Sequence, residues 1–264
     1  MSMRVRFLCI CIILMIGMTG CSISKETASL KGAIPTDGQR EENNNKIDEI
    51  NYQKDGIKAT YPKIISDSTD VKRSKWNQII EAEFQKILQI YAFNPFPELT
   101  PRPTGSTPTI LSIKDTVKLN NENYLSVVYL ADFNFPYAAH PTDIIYSTTI
   151  DKKKDERARL SDLVELNQEF VKDFRKWDFI PIEEGNQELN AAIKEYMLQM
   201  SDEDLLLGFQ AADQINSKNL WGVYSYLTPD RLGISISVPN YIGDHVEFER
   251  EYSQITKFLK INTN

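Results

Sequence analysis

The most continuous pattern in the chain lies between Tyr124 and Ile150. Its first half alternates. Leu125, Val127, Tyr129, Ala131, Phe133 and Phe135 fall on one face of a strand, and Tyr124, Ser126, Val128, Leu130, Asp132 and Asn134 on the other. Successive strand side chains point to opposite faces, so the first and more apolar set is expected to meet the core. The run P-Y-A-A-H-P around His140 predicts a tight loop. T-D-I-I-Y-S-T-T-I after it is β-branched enough for a second strand. Upstream, residues 109–119 place Leu111, Ile113, Val117 and Leu119 at strand spacing, and Asn120–Asn123 is a turn composition. The three segments predict an antiparallel meander.

The remaining elements are read as covering or extending it. Trp76, Ile79, Ile80, Phe84, Ile87, Leu88 and Tyr91 recur at helical spacing after a start near Ser68 or Asp70, with Glu83 the one residue out of character. Before that helix, residues 50–65 alternate weakly. Pro62 cannot donate to a central ladder, so a short strand pair or a bent edge strand is expected there. Pro95, Pro97, Pro101, Pro103 and Pro108 make 94–108 an extended connector. The charge run D-K-K-K-D-E-R-A-R at 151–159 reads as a solvated loop. Leu160–Val164 is a capped short turn. Asn167 caps a helix facing Phe170, Val171, Phe174 and Trp177 inward, residues 188–200 form another helix, and Ser201 caps a third. Strands at 220–227 and 232–238 are joined by T-P-D-R, a short strand follows at 246–249, and a closing helix at 252–259.

The sum is an α+β fold. It is an antiparallel sheet, built from the 109–150 meander and the late hairpin 220–238, covered by helices. Residues 49–264 are expected to form one head, with an early α/β part and Pro-rich loop over 49–108 and the main part over 109–264.

The amino end changes the picture. Arg4 and Arg6 precede an apolar run, Phe7–Met18, of the length of a secretion signal's core and too short to span a bilayer. Met18-Thr19-Gly20-Cys21 resembles a bacterial lipobox, which predicts a signal peptide over 1–20 and acylation, palmitate included, at Cys21. Residues 21–48 are polar and aperiodic, and predict a flexible tether of ~30 Å coil size ahead of the head. The three cysteines are Cys9, Cys11 and Cys21, so the head has no thiol for a disulfide, a nucleophile or a cysteine-containing zinc site. Without Arg4 and Arg6, 28 basic residues face 37 acidic ones, a net charge of −9. That disfavours nucleic acid and anionic surfaces as partners and suits a cationic one.

Catalytic chemistry is thin. His140 and His245 are the only histidines, neither in an HxxxH or HExxH context, and no G-x-S-x-G, GxGxxG or P-loop is present. No catalytic residue, metal ligand or cofactor is assigned. A hydrolase or deacetylase centre built on His140 with Asp132 or Asp143 is the enzymatic alternative, and a purely structural envelope role a further one. Phe133, Phe135, Tyr137, Tyr146 and Tyr241 gather near the His140 loop and the late strands. Aromatics on loops are typical anchors for a protein or sugar ligand. The candidate binding residues are therefore Phe135, Tyr137, His140, Asp143 and Tyr241.

Four segments carry a resemblance. They are Ile57–Ile65 with the Trp76 helix; F-N-F-P-Y-A-A-H-P at 133–141; Leu160–Val164 opening a helix; and Y-L-T-P-D at 226–230 with the following strand, then Pro239-x-Tyr241-x-x-Gly243 and Tyr252-Ser253 through Leu259. Together they resemble the extracytoplasmic module of RsiV-type lysozyme-sensing anti-sigma factors and of the non-catalytic amino-terminal part of PdaC-type peptidoglycan deacetylases. Ala138-Ala139 stands where that family favours glycines, and the 151–159 charge run replaces its Asp/Thr-Gly turn. The resemblance implies a surface α+β module that binds rather than cuts. The implied ligand is lysozyme, itself a basic protein, or cell-wall material, and the membrane is reached through the lipid anchor.

Overall fold

The computed structural model describes residues 45–54, 56–65, 69–92, 110–134, 140–216 and 222–261. The lipidation position Cys21, most of the tether and the 94–108 connector lie outside these residues.

β1 (Ile47–Lys54) and β2 (Ile57–Ile64) form a hairpin, so the chain is already in a strand where the tether was expected to end. α1 (Val71–Ala92) follows, with the Asp70 carboxylate accepting from the Arg73 N–H at 3.0 Å as its cap. The chain then enters the expected meander: β3 (Ile110–Asn120), β4 (Tyr124–Asn134) and β5 (Thr142–Asp151). A three-residue β6 (Glu156–Ala158) completes a six-stranded sheet in the order β1-β2-β3-β4-β5-β6. Every pairing is antiparallel except β2 with β3, where α1 lies in the crossover that a parallel pair requires.

Pro62 is tolerated inside β2 for a geometric reason. Ile65 donates to the Lys46 carbonyl, so alternation along the ladder makes Glu49 and Pro62 a non-bonded pair. The ring nitrogen therefore points away from β1, towards a side where β3 pairs only with residues 57–59. Beyond that contact the side-chain amide of Asn77 closes the edge. Its Oδ1 accepts from the Ile64 N–H and its Nδ2 donates to the Ile64 carbonyl, both at 2.8 Å.

The late hairpin does not extend this sheet. β7 (Val223–Leu227), β8 (Arg231–Ser237) and β9 (His245–Glu251) make a second, three-stranded antiparallel sheet. It packs on the face of the meander opposite α1, and this alters the burial of β4. Residues 124–129 are buried on both faces, and alternation appears only from Leu130 onward. The face bearing Leu125, Val127 and Tyr129 meets α1 through Phe84 and its neighbours. The face bearing Tyr124, Ser126 and Val128, expected to be the wetter one, is covered instead. The Leu227 N–H donates to Ser126 Oγ at 3.0 Å, and Ser126 shares a 2.8 Å bond with Thr149. The hydroxyls on this face are satisfied by one another and by the second sheet, which is why polar residues are stable in a buried layer.

α2 (Leu160–Leu163), α3 (Gln168–Phe174), α4 (Gln187–Gln199) and α5 (Asp202–Gln210) build a second apolar cluster with the three-stranded sheet. Asn167 and Ser201 cap α3 and α5 as expected, accepting from Phe170 and Asp204. Two further expectations fail. The closing helix is a single 3-10 turn, Tyr252–Gln254, because Leu259 bridges back to Val164 and Lys260 donates to the Leu163 carbonyl, pulling the tail out as an extended strap. The charge run at 151–159 is only partly a solvated loop. Lys153, Lys154, Glu156 and Arg159 are exposed, but Asp151 and Lys152 are buried, Asp155 accepts from Trp76 Nε1 at 2.8 Å, and Arg157 is half-buried against α1.

Arg157 explains the misfit of Glu83. The two meet at 3.0 Å, and Lys86 holds the other Glu83 oxygen at 2.6 Å. Arg157 also donates to the Asp213 carbonyl. The Asp213 carboxylate, in a left-handed backbone at φ 64°, accepts from Leu160 N, Ser225 N, Ser225 Oγ and Ser147 Oγ. One polar network thus ties α1, β5, α2 and β7 together.

Candidate functional site

The sequence-derived candidates fall on two segments about a hundred residues apart, and the fold joins them. The β4–β5 register sets Asp132 directly across from Asp143. Asp132 is exposed and Asp143 half-buried. The 3-10 turn Asn240–Ile242 and the start of β9 come alongside. Asp244 Oδ2 accepts from the Asp143 N–H at 3.1 Å, and His245 Nδ1 lies 3.2 Å from the Asp143 carbonyl oxygen. Asn240 Nδ2 donates to both Asp244 oxygens at 3.1 Å and reaches the Pro141 carbonyl at 3.3 Å.

Local chemistry shapes the second segment. Gly243 adopts φ 104°, a conformation that side chains other than glycine rarely take, and a Cβ there would collide with the Ile182 side chain. Asp244 continues the turn at φ 66° with its carboxylate tucked inward. The strap before α4 is held against β9 by the Ile180 N–H, which donates to the Glu247 carbonyl at 2.7 Å. Ile180 and Ile182 stay exposed on this strap. Tyr241 projects furthest, at 75% exposure.

The electrostatics are one-sided. Burial raises the Asp143 pKa above the ordinary carboxylate value, the Asp132 charge raises it further, His245 pulls it back, and Asp244 adds to the rise. Among the described residues no lysine or arginine pairs with Asp132, Asp143 or Asp244. Along β9 the carboxylates continue, with Tyr226 Oη contacting Glu247 at 2.7 Å and Glu249 at 3.0 Å. Among the described residues no group of three or more His, Cys, Asp or Glu side chains is arranged to hold a metal ion.

Of the candidates, Asp143 and Tyr241 lie in this junction, Phe135 and Tyr137 lie outside the described residues, and His140 sits at its rim. Among the described residues the exposed His140 ring bonds the neighbouring Pro141 carbonyl, at 3.2 Å, and neither Asp132 nor Asp143. Asn240, Ile180 and Ile182 were not anticipated as site residues. The run P-N-Y-I-G-D-H has turn composition, but nothing local in it points at residues 141–143.

Fold and site together describe an α+β protein with an acidic, aromatic-edged junction between two loop segments. No family model matches the chain. No curated protein matches it either. Solved structures similar to it include two DUF3298-family proteins. One is a DUF3298-family member from Bacteroides fragilis, 11% identical with a TM-score of 0.48, covering 84% of this chain and 96% of that one. The other is a DUF3298-family protein from Pseudomonas aeruginosa, 12% identical with a TM-score of 0.49, covering 84% of this chain and 97% of that one. Neither likeness bears on activity or ligand.

Proposed function

We propose that this chain is a non-enzymatic surface lipoprotein, anchored through an acylated Cys21, whose head binds a cationic extracellular protein at the Asp132–Asp143–Asp244 junction. Lysozyme is the first candidate, in line with the sequence resemblance. The carrying observation is the facing pair Asp132 and Asp143, with Asp244 behind it and no lysine or arginine partner among the described residues. Crowded carboxylates raise one another's pKa, and an incoming basic side chain relieves that repulsion. Exposed Tyr241, Ile180 and Ile182 supply the apolar contact that such an interface needs at its centre. Charge complementarity chiefly sets on-rate and selectivity, so binding should weaken with salt.

The test is capture of lysozyme by the immobilised chain at low and high ionic strength. Capture is expected at low salt, several-fold weaker with Asp132→Asn plus Asp143→Asn, and weaker again with Tyr241→Ala. No capture at low salt ends the lysozyme reading. Turnover of muropeptides that disappears with His140→Ala would replace the binding reading by the hydrolase alternative.

A further inference from the structure

A second feature shares no lining residue with the acidic junction. The end of α3, the following turn, α4, α5 and β9 enclose a cleft of about 300 Å³. Its walls are apolar: Phe174, Trp177, Phe179, Met197, Leu205 and Phe248. Phe174 packs on Trp177 at 5.2 Å and on Phe248 at 4.8 Å, so the base of the cleft is a rigid, nearly buried aromatic layer, and Phe179, Met197 and Leu198 are its more accessible apolar walls. Leu198 borders the cleft and is 77% exposed, although α4 is otherwise amphipathic. An unbranched thioether such as Met197 adapts to ligand shape.

The rim carries Arg175, Lys176 and Lys194 against one carboxylate, Asp178, in a chain that is acidic overall. Arg175 is already committed, to Asp202 at 2.6 Å and to the Met197 and Met200 carbonyls. Lys176 and Lys194 border the same cleft and have no ion-pair partner among the described residues, with Asp178 the only carboxylate in the lining. These two ammonium groups give an apolar cleft a positive rim in a chain with 37 acidic and 30 basic residues.

We infer that this cleft binds a small single-chain amphipathic anion, with its acyl or aromatic body against Phe179, Met197 and Leu198 above the aromatic base and its carboxylate between Lys176 and Lys194. The size supports this class. Ligand clefts run from about 300 to 1,000 Å³, and the lower end takes a short chain or one ring system rather than a docked helix. The site is separate from the acidic junction and does not depend on the reading given there.

The experiment uses the chain with Cys21→Ser, free of lipid and detergent. Anilinonaphthalene sulfonate serves as fluorescent probe, displaced by decanoate, decanol or decylammonium. Decanoate is expected to displace it about ten-fold more tightly than decylammonium, with decanol between. Leu198→Asp should weaken all three, since it charges the mouth without touching the buried floor. Lys176→Glu with Lys194→Glu should lower decanoate affinity about ten-fold and abolish the preference for the anion. Unchanged melting temperatures would show that both variants fold. Equal displacement by the three amphiphiles overturns the inference. So does wild-type affinity in either variant, or displacement by anionic phospholipid vesicles without displacement by decanoate.

Discussion

At Lys152 an ammonium group lies between Asn120 Oδ1, the Asn121 carbonyl and the Trp76 ring, with no carboxylate partner among the described residues. Burial, followed by the nearby Arg73 charge, lowers its pKa to about 8 from an ordinary 10.5. Lys72, Asp70 and Glu122 line the same depression. Between these two values the unfolded chain holds more protons at this site than the folded one, so stability owed to it rises with pH across that window. Chemical unfolding of wild type and Lys152→Gln from about pH 7.5 to 10.5 should show the wild type gaining on the variant; a constant difference sinks the assignment. Gly243 offers a second test at this scale. Gly243→Ala forces a side chain into a left-handed backbone and into Ile182, and should cost about 1–3 kcal/mol. The same change should speed hydrogen exchange at the Asp143 amide, whose acceptor is the neighbouring Asp244 carboxylate. Neither residue's role is visible locally, because Lys152 reads as one of three consecutive lysines and Gly243 as an ordinary turn glycine.

Among the elements, α1 and β6 are coupled through Glu83 and Arg157. Breaking a buried ion pair strands the remaining charge, whereas replacing both partners with apolar groups of similar size does not. Arg157→Ala should therefore cost about 3–5 kcal/mol in denaturant unfolding, and Glu83→Leu with Arg157→Met should recover most of it. Additive losses in the double variant would show that the two side chains act separately. Asn77 carries a related expectation. Asn77→Ala leaves the Ile64 N–H and carbonyl without their partner and should cost about 1–3 kcal/mol. The apolar periodicity of α1 was legible because a helix face repeats within a few residues. Its one discordant residue, Glu83, was legible only as an anomaly, since its partner Arg157 lies 74 positions away in a segment that reads as solvent-exposed charge.

For the whole molecule, the acidic junction should make partner capture strongly ionic. The screening length falls from about 30 Å at 0.01 M salt to about 3 Å at 1 M, so lysozyme capture should fade across that range if the carboxylates dominate. Salt-insensitive capture would place the contact on Tyr241 and the isoleucines instead. Local patterning by itself determined the α+β class, the 110–151 meander, the long α1 and the capped α3 and α5, because caps and apolar periods act over a turn or two of chain. Tertiary structure alone decided that a second sheet buries the other face of β4, that Asp151, Lys152 and Arg157 turn inward from the 151–159 charge run, and that Asp244 reaches Asp143. Those outcomes depend on which surfaces compete for the meander, and contacts between residues a hundred positions apart leave no periodic trace in either segment.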